Sequence, residues 1–305
     1  MGRPQRSHSL GVLAVAGALL CSMSAPGLIA GEPPQARTKS AYLSVTTKAG
    51  EPVKDLTVAD FLVKEDNQAR EVLKVAPATA PMRIAVLIDN SQVTLAMTAE
   101  IRQGMGKLID TLFKASPQST MSVSTFGDRP TLVQDFTSSP SVVIKAAQKT
   151  FAINGAGGYF LDAVADAAKS LRKNPEPRQL IIAFVDENGQ EFSNNSRQQT
   201  IEALRESGAS LWVVTVQGIG VASETMEARD RSAVVGDAST QSGGTSLSII
   251  NRLSLPDKLG ELAALIINQT EITYGRPDQL IPPSKLDIQL TRKDLKLRAP
   301  RWTGK

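Results

Sequence analysis

The run Arg83-Ile84-Ala85-Val86-Leu87-Ile88, leading straight into Asp89-Asn90-Ser91, limits what this chain can fold into more than any other stretch. Its five consecutive apolar residues have no polar alternation, which describes a strand buried on both faces at the centre of a parallel α/β sheet. In such sheets the residues just past the carboxyl end of a central strand line the binding crevice. Asp89 and Ser91 stand at that place. Two more runs are of the same kind. Leu180-Ile181-Ile182-Ala183-Phe184-Val185 ends in Asp186-Glu187-Asn188-Gly189, and Leu211-Trp212-Val213-Val214-Thr215-Val216 precedes Gln217 and Gly218.

Helical patterns alternate with these strands. Residues 94–114 carry Ile101, Met105, Leu108 and Leu112 on one face at spacings of three and four. Residues 141–151, 160–171 and 200–207 are amphipathic as well, and a helix reaching about Thr240 ends at Gly243-Gly244, whose glycines suit a left-handed cap. Leu259, Leu262, Ala263, Ile266 and Ile267 give a closing helix its apolar face, and 246–250 reads as a last short strand. Residues 121–125 and 131–136 flank the turn Gly127-Asp128-Arg129-Pro130 as a hairpin, so one of its strands runs antiparallel, at the sheet's edge. The pattern predicts an α/β fold: a doubly wound, mainly parallel sheet with one antiparallel edge strand, over residues 80–275.

The ends of the chain read differently. Arg3 and Arg6, an apolar stretch over 10–20 and small residues near Ala25 and Ala30 mark residues 1–30 as a secretory signal peptide. Cleavage after Ala25 or Ala30 fits, and an uncleaved anchor is the alternative. The only histidine, His8, and the only cysteine, Cys21, leave with it. The mature chain then has no residues for a Ser-His-Asp triad, a cysteine nucleophile or a His/Cys zinc site. Loss of Arg3 and Arg6 takes the formal charge from +4 to +2, too weak a balance to argue for nucleic acid. No later stretch is apolar enough for a transmembrane helix, so the expected location is periplasmic or secreted.

Residues 31–40 read as a polar linker. Strands follow at 41–47, 61–65 and 70–75, the last two around the turn Asp66-Asn67. Near the other end, 286–290 and 295–299 alternate apolar and polar residues about a turn at Lys293-Asp294. Three strands close no core alone. Residues 31–79 are therefore expected to form an amino-terminal β module that 276–305 completes, with the α/β domain inserted between them. Lack of contact between 41–76 and 286–302 would refute this.

The order of elements resembles the von Willebrand factor type A domain. Glu51-Pro52-Val53, Leu56-Thr57-Val58-Ala59-Asp60-Phe61, Lys64-Glu65-Asp66, Ser242-Gly243-Gly244 and Leu297-Arg298-Ala299-Pro300-Arg301-Trp302 are similar to features of its acidobacterial-type subfamily. The resemblance implies a magnesium site built from Asp-x-Ser-x-Ser after the first strand, a later Thr, and an Asp after the fourth strand. Asp89, Ser91 and Asp186 match that pattern, whereas Val93 stands in place of the second Ser and Gly158 in place of the Thr. An isopropyl group cannot coordinate and glycine offers only backbone, so the resemblance implies a degenerate metal-ion-dependent adhesion site with no cofactor, or weak magnesium binding. Without metal, Ser91 or Thr94 would cap the following helix and Asp89 would accept nearby backbone donors.

The expected function is that of an exported, non-catalytic protein-interaction or adhesion-type module with a protein partner in the cell envelope. Two alternatives stand beside it. One is a scaffold that binds mainly through its β subdomain. The other is a phosphatase of the haloacid-dehalogenase type using Asp89 as nucleophile and Gly236-Asp237 as its later acidic motif, although Ser91 cannot supply the general acid that chemistry needs. Gly218-Ile219-Gly220 lacks the third glycine of a dinucleotide loop, Ser170-Leu171-Arg172-Lys173 sits among solvated charges, and Trp212 and Trp302 read as packing residues.

Overall fold

The central strand β5 (Met82–Ile88) is buried along almost its whole length, and its two faces feed two separate cores. Ile84, Val86 and Ile88 point to one side, where α1 (Thr98–Ala115), α2 (Pro140–Gln148) and α7 (Leu255–Ile267) cover the sheet. Ala85 and Leu87 point to the other, against α3 (Phe160–Lys173) and α4 (Arg197–Ser207). Period-two alternation within an all-apolar strand thus produces a sheet wound on both faces. The computed structural model describes Gly2 and residues 37–217, 225–277 and 281–304. Apart from Gly2, the expected signal-peptide residues, His8 and Cys21 among them, and Gly218-Ile219-Gly220 lie outside the described residues.

Five strands run parallel: β6 (Thr120–Thr125), β5, β8 (Arg178–Asp186), β9 (Ser210–Val216) and β10 (Thr245–Ile249). A sixth, β7 (Thr131–Thr137), pairs antiparallel with β6 at the edge, giving the order β10-β9-β8-β5-β6-β7. This is the predicted mainly parallel sheet with one antiparallel edge strand. Registering Ile88 against Phe184 brings the ends of β5 and β8 level, which puts the turns after them side by side.

Two local differences from the sequence expectation stand out. Helix α1 starts at Thr98 because residues Gln92–Met97 wind more tightly as a 3-10 segment. The helix after Thr225 is α5 (Met226–Ala233), followed by a π-helical turn Val234–Ala238 and the short α6 (Ser239–Gln241). Gly243 then takes φ of +86°, the left-handed exit the Gly-Gly pair suggested. Trp212 is wholly buried in one core and Trp302 packs into the other.

The remaining strands build two antiparallel sheets around a third core of Leu43, Val45, Phe61, Val63, Ile272, Tyr274, Leu286 and Ile288. The first sheet orders β13 (Lys296–Arg298), β1 (Arg37–Thr46), β11 (Thr270–Arg276) and β4 (Val72–Pro77). The second orders β12 (Leu286–Leu290), β2 (Phe61–Glu65) and β3 (Gln68–Arg70). Val45 pairs with Leu297 and Val63 with Ile288, so strands from both ends of the described chain lie together. Thr38, Lys39 and Ser40 belong to β1 and not to a linker. The expected strand 70–75 is two, because β3 stays with β2 across the Asp66-Asn67 turn while β4 crosses to β11. Strand β11 itself was not anticipated. Glu65, fully buried, ties the two sheets through Arg70 (3.0 Å), Tyr274 (2.9 Å) and Arg276.

Candidate functional site

The carboxyl ends of β5 and β8 bring Asp89 and Asp186 into direct contact. Asp89 Oδ2 accepts a hydrogen bond from the Asp186 backbone N–H at 3.1 Å, and its Oδ1 accepts one from Ser91 N–H at 2.9 Å. Asp186 Oδ1 in turn accepts from both the backbone N–H (2.9 Å) and the side-chain amide (2.7 Å) of Asn188. Both carboxylates are buried. Burial raises the pKa of Asp89 and the neighbouring charge of Asp186 adds to it, against the lowering effect of Ser91 and the Asp186 amide.

Ser91 does not cap a helix. Its Oγ is closed to solvent and makes no hydrogen bond of acceptable geometry, although it lies near enough to favour the charged form of Asp89. Thr94 closes the 3-10 turn instead, its N–H (3.1 Å) and Oγ1 (2.8 Å) both donating to Ser91 O. Val93 projects partly into solvent, and its Cγ2 would lie 3.4 Å from a Cβ placed on Gly189. The same Cβ would stand 3.7 Å from Ser91 Oγ, so the Asp186–Gly189 turn passes beside the hydroxyl.

Gly158 sits on the loop before α3, where its N–H donates to Gln190 O (2.7 Å) and its carbonyl accepts from Phe192 N–H (2.8 Å). A Cβ there would meet Gln190 O at 3.2 Å.

Three residues that sequence reasoning missed organise the surroundings. Asn90, buried beside Asp89, accepts from Gly127 N–H (2.7 Å) through Oδ1, donates from Nδ2 to Phe151 O (3.2 Å), and accepts Ile153 N–H at its carbonyl (2.8 Å). One side chain thereby joins three loops. Glu191 is buried, and its Oε1 accepts from Ser193 Oγ (2.5 Å) and from Leu161 N–H (3.3 Å) at the start of α3. Its Oε2 has no hydrogen-bond partner and lies 3.9 Å from Arg231 Nη1. Burial pushes the Glu191 carboxyl up to about 7, against the lowering effect of Ser193, Arg231 and the first amides of α3. Arg231, also buried, donates to Gly189 O (2.6 Å) and Glu187 O (2.8 Å), pinning the turn that follows Asp186. Only the proximity of Asn90 to the motif could have flagged any of the three.

Asp237, the second acid of the phosphatase alternative, is exposed on the π-helical turn. No helix among the described residues is long and apolar enough to cross a membrane.

Residues 84–190 match the model of the von Willebrand factor type A domain. Among solved structures, this chain is similar to a von Willebrand factor type A protein from Catenulispora acidiphila, with a TM-score of 0.51, 11% identity, and 89% of this chain and 75% of that chain covered. It is also similar to proximal thread matrix protein 1 from the mussel byssus with a zinc-occupied MIDAS motif, with a TM-score of 0.52, 18% identity, and 68% of this chain and 50% of that chain covered. This chain thus spans about half the length of the mussel protein. At these identities the likeness is one of fold. No curated protein matches the sequence.

Proposed function

We propose that this chain is an exported, non-catalytic recognition module that binds a protein partner of the cell envelope through the loops at the carboxyl end of its parallel sheet, without requiring a metal ion. Domains of the von Willebrand factor type A family are adhesion or protein-interaction modules. In this reading residues 31–79 and 276–305 form one β module that carries the domain at 80–275.

The observation that carries metal independence is the state of Ser91. A magnesium ion needs an octahedron of oxygens and keeps several waters of its own. Asp89, Ser91 and Asp186 supply one hydroxyl and two carboxylates, three of whose four oxygens already accept N–H donors. Ser91 Oγ is closed to solvent and has no hydrogen-bond partner. Val93 and Gly158 supply no side-chain oxygen. The residues present do not fit a hydrated magnesium ion, and the remnant triad is read as scaffolding for the loops.

The test is a magnesium and manganese titration of the mature protein followed by thermal melting. No saturable shift is expected, and a saturable shift at millimolar metal would overturn the metal-independent reading. Mass spectrometry of the protein recovered from culture medium or periplasm checks export. A mature start just after Ala25 or Ala30 is expected, and an intact leader in the cytoplasmic fraction would refute export.

A further inference from the structure

Strand β1 has an edge that the rest of the fold leaves open. Ala78 N–H donates to Gln269 O at 2.9 Å, one position before Thr270 pairs with Pro77. Main-chain groups alternate in direction along an antiparallel strand, so Glu271 and Thr273 of β11 face β4, whereas Thr270, Ile272 and Tyr274 face β1. Their partners on β1 are Leu43, Ala41 and Lys39. The N–H and C=O groups of Thr38, Ser40 and Tyr42 therefore point to the opposite side of β1, where none of the described residues pairs with them.

On that side β13 covers β1 only at 44–46. Val45 is turned the other way, since its carbonyl accepts from Val53 N–H at 3.0 Å. Continuing the β13 register would set Pro300 opposite Tyr42 and Trp302 opposite Ser40. Proline has no N–H to give to a ladder, and the chain departs from β1 at this point. Pro300 bridges to Ser242 and Trp302 to Lys285 instead. The divergence leaves a cleft of about 590 Å³, lined by 38–42 of β1 together with Pro177, Ser210, Pro300 and Trp302. It lies where β8 and β9 begin, at the opposite end of the parallel sheet from Asp89.

Other edges are blunted: β7 and β4 carry register shifts in their pairing, and β3 is three residues long. Strand β1 keeps one register with β11 from Arg37 to Leu43, so its open main-chain groups stay in line. A row of alternating donors and acceptors at strand spacing is complementary to one thing, another extended main chain. The side chains around it set a weaker demand. Arg178 is held by Ala78 O and Gln269, Arg276 by Glu65, and Lys39, Glu176 and Glu271 are of mixed sign. We propose that the open edge of β1 binds an extended segment of a partner protein by strand addition, recognised through its main chain. This is a second interaction site, separate from the loops around Asp89.

The test pans a phage-displayed library of random dodecapeptides on the purified protein, after depletion on a Ser40→Pro variant. This substitution removes an N–H that faces the open edge and spares the β1–β11 ladder. Peptides that bind wild type about tenfold or more tightly than the variant are expected. N-methylation at alternate residues of such a peptide should cost a similar factor, because it deletes the donors a ladder uses. In hydrogen exchange followed by NMR, the peptide should slow the Thr38, Ser40 and Tyr42 amides. Those of Lys39 and Ala41, already bonded to β11, should change less. Thr38→Pro takes the place of Ser40→Pro if that variant melts early. Failure to find any peptide that distinguishes wild type from these variants would overturn the proposal. So would peptides indifferent to N-methylation at every position, or exchange protection that spares Ser40. Concentration-dependent dimerisation lost on Ser40→Pro would make the occupant a second copy of this chain, and would also overturn it.

Discussion

Restoring the two missing oxygens is the sharpest way to probe the site. Gly158 has backbone torsions open to any residue, and a Cβ there meets only Gln190 O at 3.2 Å and Glu191 Oε2 at 3.8 Å. A shift of a few tenths of an ångström accommodates Thr. Val93 is partly exposed, so its replacement by Ser costs roughly 1 kcal/mol or less. The Val93→Ser/Gly158→Thr variant adds two hydroxyls to the oxygens of Asp89, Ser91 and Asp186. With metal at a hundred times the dissociation constant, binding stabilises by about 2.7 kcal/mol. For a domain of this size that is a rise of roughly 5–10 °C in melting temperature. Thermal melts in magnesium chloride, against choline chloride of equal ionic strength, give the comparison. Wild type should move by less than about 1 °C, and the double variant carrying Asp89→Ala should behave like wild type. An equal shift in wild type and the double variant would refute metal independence. No shift in either would show that Asp89, Ser91 and Asp186 are not a metal remnant at all.

The buried Glu191 makes stability depend on pH in a defined direction. A carboxyl whose folded pKa is raised to about 7 from 4.5 stabilises fully below 4.5, and that contribution is lost as pH rises towards 7. Glu191→Gln should remove the decline and be more stable than wild type at pH 8 by up to about 3 kcal/mol in urea melts; parallel slopes for the two proteins between pH 5 and 8 would count against this. Glu65→Ala leaves Arg70, Arg276 and Tyr274 without their shared acceptor and should cost about 3 kcal/mol or more by urea denaturation; a loss under about 1 kcal/mol would mean that water replaces the carboxylate. Gly244→Ala places a Cβ 1.9 Å from Leu211 O, in the close approach between β9 and β10, and should destabilise by about 3 kcal/mol or more; a near-wild-type melt would show that β10 can move aside.

Strands β5, β8 and β9 were legible because burial on both faces leaves a compositional trace no surface element shares. The hairpin of β6 and β7 announced itself through its turn residues. Strand β11 was missed although Thr270, Ile272 and Tyr274 alternate inward, because Ile266 and Ile267 just before them extend an apolar run that reads as helix. The division between β3 and β4 left no mark in composition, since it depends on which sheet each half joins. In the site, Asp89 and Asp186 could be placed from spacing after a buried strand. The roles of Asn90, Glu191 and Arg231 could not, as each contact spans tens of residues and obeys no local period. Neither Ser91 nor Thr94 caps a helix through its side chain, because the 3-10 segment Gln92–Met97 lies before α1 and the Thr94 hydroxyl donates to Ser91 O.

The way the chain enters and leaves the α/β unit has a mechanical consequence. Ala78 N–H donates to Gln269 O at 2.9 Å, and Arg178 clasps both crossing points through Ala78 O and the Gln269 side chain. Both connections thus meet at one spot at the foot of the sheet. Tension carried along the polypeptide through β4 and β11 pulls on strands already paired with each other, and the parallel sheet beyond that junction bears none of it. A load applied through those two strands would leave the loops at the carboxyl end of the parallel sheet in place.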